Sequence, residues 1–301
     1  MNAILAIDAG TTGVTALVVD STGAIVARGY QEFAQHFPRP GWVEHAPEEI
    51  WQATLEATRA ALTGFDRTAL VGVGITNQRE TVVLWDRETL GSPRRAIVWQ
   101  DRRTASFCGA MASHEERIGE LTGLRLDPYF SATKLAWIRE HEPQTWAHVE
   151  SGRYAVGTVD SYLIARMTRG LHHVTDVSNA SRTLLFDLTA GDWSDELCGL
   201  FGVPRDALPE LVPNWGEVAT TDADRARVTP WNTYAMPGLP ATPISSPSIN
   251  ALRAVENPAP GDYLYFVTID KKGTTLFTRD YNEHLANIEL AQKSGILDSG
   301  R

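Results

Sequence analysis

Cysteine is scarce: Cys108 and Cys198 are the only two in 301 residues, and no CxxC pair exists. That excludes a zinc-ribbon ligand set or a dithiol redox couple and reads as two reduced, buried thiols. Long apolar runs are absent. No stretch approaches ~18 apolar residues, and Asp8 interrupts the first run. The expectation is a chain with neither a leader peptide nor a membrane span. Basic residues are in the minority, 27 against 37 acidic, for a net charge of -10. An acidic surface repels DNA phosphate and anionic lipid, which argues against a broad electrostatic nucleic-acid binder. A small anion held by backbone N–H groups stays compatible with it. Internal repeats and low-complexity segments are lacking too. What remains, 43% hydrophobic and 21% charged residues, is ordinary globular usage, at a length that suits one large domain or two.

Three short apolar runs, 3–8 (AILAID), 14–20 (VTALVVD) and 24–30 (AIVARGY), are joined by polar, Gly-containing turns and read as a three-stranded meander. A helix is expected over 46–62. Pro47 suits its first turn and Glu48 and Glu49 its positive dipole end. Trp51, Leu55 and Leu62 recur on one face, with Ile50, Ala57 and Ala61 beside them. Further strands are expected at 70–76, 81–86, 96–99 and 182–187. Helices are expected at 104–122, 131–141 and 160–168, the last capped by Thr158 or Asp160. This order describes an α/β fold on a mixed sheet.

Seven of the sixteen prolines fall between Pro230 and Pro260, so that stretch is neither a helix nor a central strand. Beyond it, 263–269 and 275–278 read as a hairpin turning at 271–273, and 280–293 as a short helix. The expected division is an α/β domain over 1–220, a Pro-rich linker over 221–262 and a small hairpin–helix unit over 263–301.

Three segments carry chemistry. Asp8-Ala9-Gly10-Thr11-Thr12-Gly13 lies between two apolar strands. A Gly-containing hairpin with hydroxyls can present donors to phosphate, while a strand-end Asp holds the water shell of Mg²⁺. It is not a P-loop, since no Gly-Lys-Ser/Thr follows; as plain chain it is a Gly-rich turn. Asn77-Gln78-Arg79-Glu80 ends another apolar strand, offering a donor fork and an acceptor to a polyol, or simply a local Arg79–Glu80 ion pair. Trp99-Gln100-Asp101-Arg102-Arg103-Thr104 offers an indole to the C–H side of a polyol, or a core Trp followed by a capping Asp101. Strand ends in α/β sheets favour ligand sites.

DAGTTGVTALVVD, GITNQRETVVLWDR, AIVWQDRRT, DPYFSATKLAWI, GTVDSYLI and HVTDVSNASRTLLFD together resemble the FGGY carbohydrate kinases, nearest to the members that phosphorylate glycerol. The resemblance runs from about residue 2 to about 220, with six motifs in order. It implies an actin/hexokinase-like (ribonuclease H-like) fold, whose two domains enclose a cleft for sugar and ATP–Mg²⁺. It also implies a cytoplasmic enzyme moving the ATP γ-phosphoryl to a hydroxyl of glycerol or a similar polyol. By the same resemblance Asp8 is the Mg²⁺-associated carboxylate and Gly10, Thr11 and Thr12 line the phosphates. Arg79, Glu80, Trp99 and Tyr129 bind the polyol. Gly13 stands where the family has Ser, which removes a hydroxyl and leaves the backbone donors.

The family continues with an Asp-Gln pair, its Asp the catalytic base, and a full ATP-binding domain. No Gly-Asp-Gln occurs here, and Asp101, Asp160 and Asp176 do not match that base. The catalytic base is therefore unassigned. Instead TPWNTYAMPGLPATPISSPSINALRAVENPAPGDYLYFV and KKGTTLFTRDYNEHLANI resemble the C-terminal end of the YceG-like endolytic murein transglycosylases, over about 224–296. Trp231 and Ser246 depart from that pattern and His284 fits its closing Glu-His. This resemblance implies an alternative function, cleavage or binding of peptidoglycan glycan strands, although that family's catalytic glutamate and membrane anchor have no counterpart here. Oligomeric state stays open, a homo-oligomer included.

Overall fold

The sequence runs β-β-β-α-β before its first long excursion, and the chain folds around that order. A computed structural model describes residues 2–215, 265–269 and 274–294. The chain divides into two units, Met1–Val218 and Ala219–Arg301. The first unit opens with β1 (Ala3–Ala9), β2 (Gly13–Asp20), β3 (Ile25–Glu32), β4 (Glu44–His45), α1 (Pro47–Ala61) and β5 (Leu70–Asn77). It continues with β6 (Val83–Asp86), β7 (Ala96–Ile97), α2 (Ala105–Ala110), α3 (Glu115–Thr122), α4 (Ser131–His141), α5 (Pro143–Glu150) and β8 (Tyr154–Gly157). The described part closes with α6 (Val159–Met167), β9 (Val174–Asp176), α7 (Val177–Ala180), β10 (Phe186–Asp187), β11 (Asp192–Trp193), α8 (Asp195–Phe201) and β12 (Glu210–Val212).

One mixed sheet, in the order β3-β2-β1-β5, frames the unit. β1 pairs antiparallel with β2 and parallel with β5, so Asp8 stands opposite both Thr15 and Thr76. The parallel pairing brings the loops after β1 and β5 to the same end of the sheet. α1 covers one face. Its buried residues are Pro47, Ile50, Ala53, Thr54, Ala57 and Ala61, while Trp51 and Leu62 are partly buried at the core's margin. The expected Trp51–Leu55–Leu62 face is thus displaced toward small residues. Gly29 gives the reason: a Cβ there would run into the Ala57 carbonyl and stand 2.8 Å from Ala61 N, so helix and strand meet backbone to backbone.

β6 is buried along its whole length. Leu84 belongs to one core with Ile97, Leu135 and Val156, and Val83 and Trp85 to the other with Ile7, Val14 and Ile50. That explains an unbroken apolar run. β6 does not extend the four-stranded sheet; it pairs with β8, and β7 with β4.

Three sequence expectations need correction. The 104–122 helix is interrupted: Met111 N is shared by the Phe107 and Cys108 carbonyls, and a 3₁₀ turn, Ala112–His114, precedes α3. The 96–99 strand stops at Ile97, because Val98 N bonds Val43 O and Trp99 N turns to the Thr81 hydroxyl. Only Phe186–Asp187 of 182–187 is strand. Thr183 Oγ1 donates to Ala180 O and accepts from Leu185 N, which holds 182–184 in a turn.

Cys108 and Cys198 are free and buried, and burial pushes both thiols up to about 11; they are inert at neutral pH. In the second unit β13 (Tyr265–Thr268) and β14 (Thr275–Thr278) form an antiparallel hairpin, followed by α9 (Tyr281–Lys293). Asp280 caps α9 by accepting Glu283 N at 2.8 Å. The Pro-rich 221–262 stretch and the 271–273 turn lie outside the described residues. No helix among the described residues is long and apolar enough to cross a membrane.

Candidate functional site

The Gly10–Thr12 loop leaves β1 where β5 delivers Gln78. Gln78 N donates to Ala9 O at 2.8 Å, and its buried side chain links several elements. Nε2 donates to Gly10 O at 3.0 Å and to His45 Nδ1 at 3.2 Å, and Oε1 accepts Thr81 Oγ1 at 2.9 Å. His45 can accept because burial, aided by nearby His36, holds its imidazole well down, at about 4, and neutral. Thr81 Oγ1 in turn accepts Trp99 N at 3.2 Å, and Trp99 Nε1 donates to Thr11 Oγ1 at 2.9 Å.

The Trp99 ring meets Tyr129 edge-on, centroids 5.5 Å apart. Tyr129 sits in a loop clasped by Lys134, which is fully buried in α4. The Lys134 ammonium donates to the carbonyls of Pro128 (2.8 Å), Tyr129 (2.6 Å) and Phe130 (3.1 Å). Burial pushes this amine down to about 7, and the three carbonyls are the acceptors that its charged form needs.

Glu80 has a left-handed backbone, φ 66°, a conformation that costs a non-glycine residue about 1 kcal/mol or more. Two contacts hold it there. Ser131 Oγ donates to its carbonyl at 3.1 Å, and Arg182 Nε bonds its buried carboxylate at 2.7 Å. The Arg182 guanidinium also lies 5.0 Å from the Phe130 ring centroid and 5.7 Å from that of Tyr129.

Of the eight residues singled out by sequence, the structure joins Gly10, Thr11, Glu80, Trp99 and Tyr129 through these contacts. Asp8 and Thr12 are exposed at the β1–β2 turn, and Thr12 O accepts Phe33 N. Arg79 is exposed and makes no ion pair among the described residues, so the expected Arg79–Glu80 pair is replaced by Arg182–Glu80. Asp101 is no simple cap. It accepts Val43 N at 2.6 Å and pairs with buried Arg103, which stacks on Trp42. Asp160 does not cap α6 either. Its carboxylate takes Thr158, Thr175 and Asn77, and burial pushes its pKa up. Asp176 caps α7. These three carboxylates are structural.

Sequence reasoning missed Gln78, Thr81, Lys134 and Arg182. All four lie inside motifs quoted above. A lysine in an apolar helix (SATKLAWI) was the available signal, since a buried amine must be satisfied by acceptors.

The N-terminal domain of the FGGY family of carbohydrate kinases matches residues 3–233. This chain belongs to the FGGY carbohydrate kinases. FGGY relatives include a glycerol kinase of Methylobacterium nodulans, 52% identical over 225 residues, and one of Rhodopseudomonas palustris, 50% identical over 226. These alignments cover 73% and 74% of this chain but 45% of each relative, so it spans about half the length of the kinases it matches. A crystal structure of Plasmodium falciparum glycerol kinase with ADP shares the fold (TM-score 0.66, 33% identity, 70% of this chain, 43% of that one). So does a xylulose kinase of Brucella ovis (TM-score 0.64, 28% identity, 70% and 43%). The FGGY unit therefore has the actin/hexokinase-like fold. The YceG-like family matches residues 211–290, overlapping the end of the FGGY match.

Proposed function

We propose that the first unit is the polyol-binding half of an ATP-dependent carbohydrate kinase of the glycerol kinase type, working in the cytoplasm. The observation that carries this reading is the unbroken set of contacts from Gly10 and Thr11 through Trp99 and Tyr129 to Arg182 and Glu80, in a chain 52% identical over 225 residues to a glycerol kinase. Glu80 supplies carboxylate oxygens to polyol hydroxyls, the Arg79 fork donates to them, and Trp99 and Tyr129 cover the C–H face.

The turn after β1 fits a nucleotide's phosphates and a magnesium ion by its donor chemistry. Thr11 and Thr12 bring hydroxyls, Gly10 has no side chain to obstruct approach, and the Asp8 carboxylate is exposed beside them. Mg²⁺–ATP, when bound, supplies the γ-phosphoryl group and neutralises charge during transfer. Asp8 would hold the ion's water shell. The family's Asp-Gln pair does not occur in this sequence, so no base is assigned, and lacking one is a loss of roughly 10²–10⁴-fold in rate.

The expected result is saturable glycerol binding in the millimolar range, weak because exposed hydrogen bonds contribute only ~0.5–1.5 kcal/mol each. Tryptophan fluorescence follows it, and Arg79→Ala removes it. No turnover near ~1 s⁻¹ is expected with Mg²⁺–ATP. An unchanged Arg79→Ala response would move the polyol site elsewhere. Turnover at that rate, lost in Asp8→Ala, would place a base within this chain.

A second reading follows from the YceG-like match, in which the tail binds or cleaves murein glycan strands. Release of soluble fragments from purified murein would favour it over the kinase reading.

A further inference from the structure

On the proposed reading Thr11 belongs to the phosphate side of the site and Trp99 to the polyol side, yet the indole N–H ends on the threonine hydroxyl at 2.9 Å. The donors and acceptors around this bond form two branches that both start at Trp99 and end on acceptors of Gly10 and Thr11. Gln78 Nε2 donates to Gly10 O, Thr81 Oγ1 donates to Gln78 Oε1, and Trp99 N donates to Thr81 Oγ1. Trp99 Nε1 then donates to Thr11, the residue after Gly10. An indole N–H can only donate, whereas a hydroxyl has one proton and two lone pairs. Thr11 therefore accepts from Trp99 and keeps its own O–H for an incoming anion.

We propose that Thr11 is a positioning residue for the polyol half of the site, its hydroxyl fixing the plane of the Trp99 indole on which the polyol rests. This rests on the proposed assignment of Trp99 to the polyol. Trp99 is half-buried, and the second side-chain torsion of a tryptophan has a broad, soft minimum. Tyr129 limits the ring from one edge, and the Thr11 bond is the polar contact that sets its rotation. One hydroxyl thus serves both sides, and what orders it for one ligand orders it for the other; such linkage is reciprocal.

The test compares Thr11→Val, Thr11→Ala and Thr11→Ser in the full chain. Valine keeps the branched shape without the acceptor, alanine removes both, and serine keeps the hydroxyl. The Trp99 Nε1–H NMR signal, assigned by its disappearance in Trp99→Phe, should move upfield in Val and Ala and stay near its place in Ser. The glycerol Kd should rise about three- to tenfold in Val and Ala and return to within about twofold in Ser, the scale of one lost hydrogen bond. Unchanged glycerol affinity in the variants lacking the acceptor overturns the proposal, whether or not the Nε1–H signal moves. A wild-type chain with no saturable glycerol response overturns instead the polyol reading on which it rests. Serine failing where alanine fails would show that the side chain's shape, and not its hydroxyl, is what matters.

Discussion

The pair Glu80–Arg182 combines two costs at one residue: a left-handed backbone at φ 66° and a buried carboxylate. Arg182 bonds that carboxylate with Nε and spreads its guanidinium near Tyr129 and Phe130. Arg182→Gln is expected to destabilise the fold by about 1–3 kcal/mol, the cost of a buried charged group losing its partner, read by denaturant melts. It should also weaken glycerol binding about tenfold. Arg182→Lys recovers only part of both, since an ammonium lacks the planar fork. His45 makes a second residue-scale expectation. Its folded value is held at about 4 against an ordinary 6.5, first by burial and then by His36. Below pH 6.5 the unfolded chain binds a proton that the folded chain refuses until about pH 4. Stability from this group is thus complete above pH 6.5, falls as the pH drops through that window and levels off below it, by on the order of 3 kcal/mol in all. Stability against pH should flatten there in His45→Asn.

At the scale of elements, the sequence is most legible where a segment's fate is local. The β1–β2 hairpin follows from two alternating apolar strands around Asp8–Gly13, and the end of β5 from the polar run after Ile75. The pairing of β6 with β8 is not local, because the partner, Tyr154–Gly157, lies about seventy residues on and, at four residues, is too short for Tyr154 and Val156 to signal a strand on their own. Arg182 was hidden for the same reason, since the carboxylate it meets is 102 residues away; Lys134 meets carbonyls only four to six residues before it, but a lone cation in a motif does not say which acceptor it takes. In α1, by contrast, Trp51 and Leu62 lie at the margin, while Ile50 and the alanines hold the centre. Gly29→Ala is the matching test. With the Ala57 carbonyl and Ala61 N in the way, the helix must lift from the sheet, at about 1–3 kcal/mol. A melting temperature as high as the wild type's would show that this contact yields.

At the scale of the whole molecule, every residue assigned to the polyol half comes from the unit Met1–Val218. A chain ending at Val218 is expected to show the full-length glycerol response, within about twofold, by the same fluorescence titration; a larger loss would assign part of the site to the remaining residues. The site's contacts are nonetheless far apart along the chain. Thr11 and Trp99 are 88 residues apart, and Glu80 and Arg182 are 102. At a synthesis rate of ~5–20 residues per second, Glu80 emerges from the ribosome roughly 5–20 s before its counter-ion. During that interval the nascent chain has its Gly10–Thr12 loop and its Trp99 indole but an acidic side chain that cannot yet be buried, so the strained turn at Glu80 is among the last parts of this unit to lock during translation.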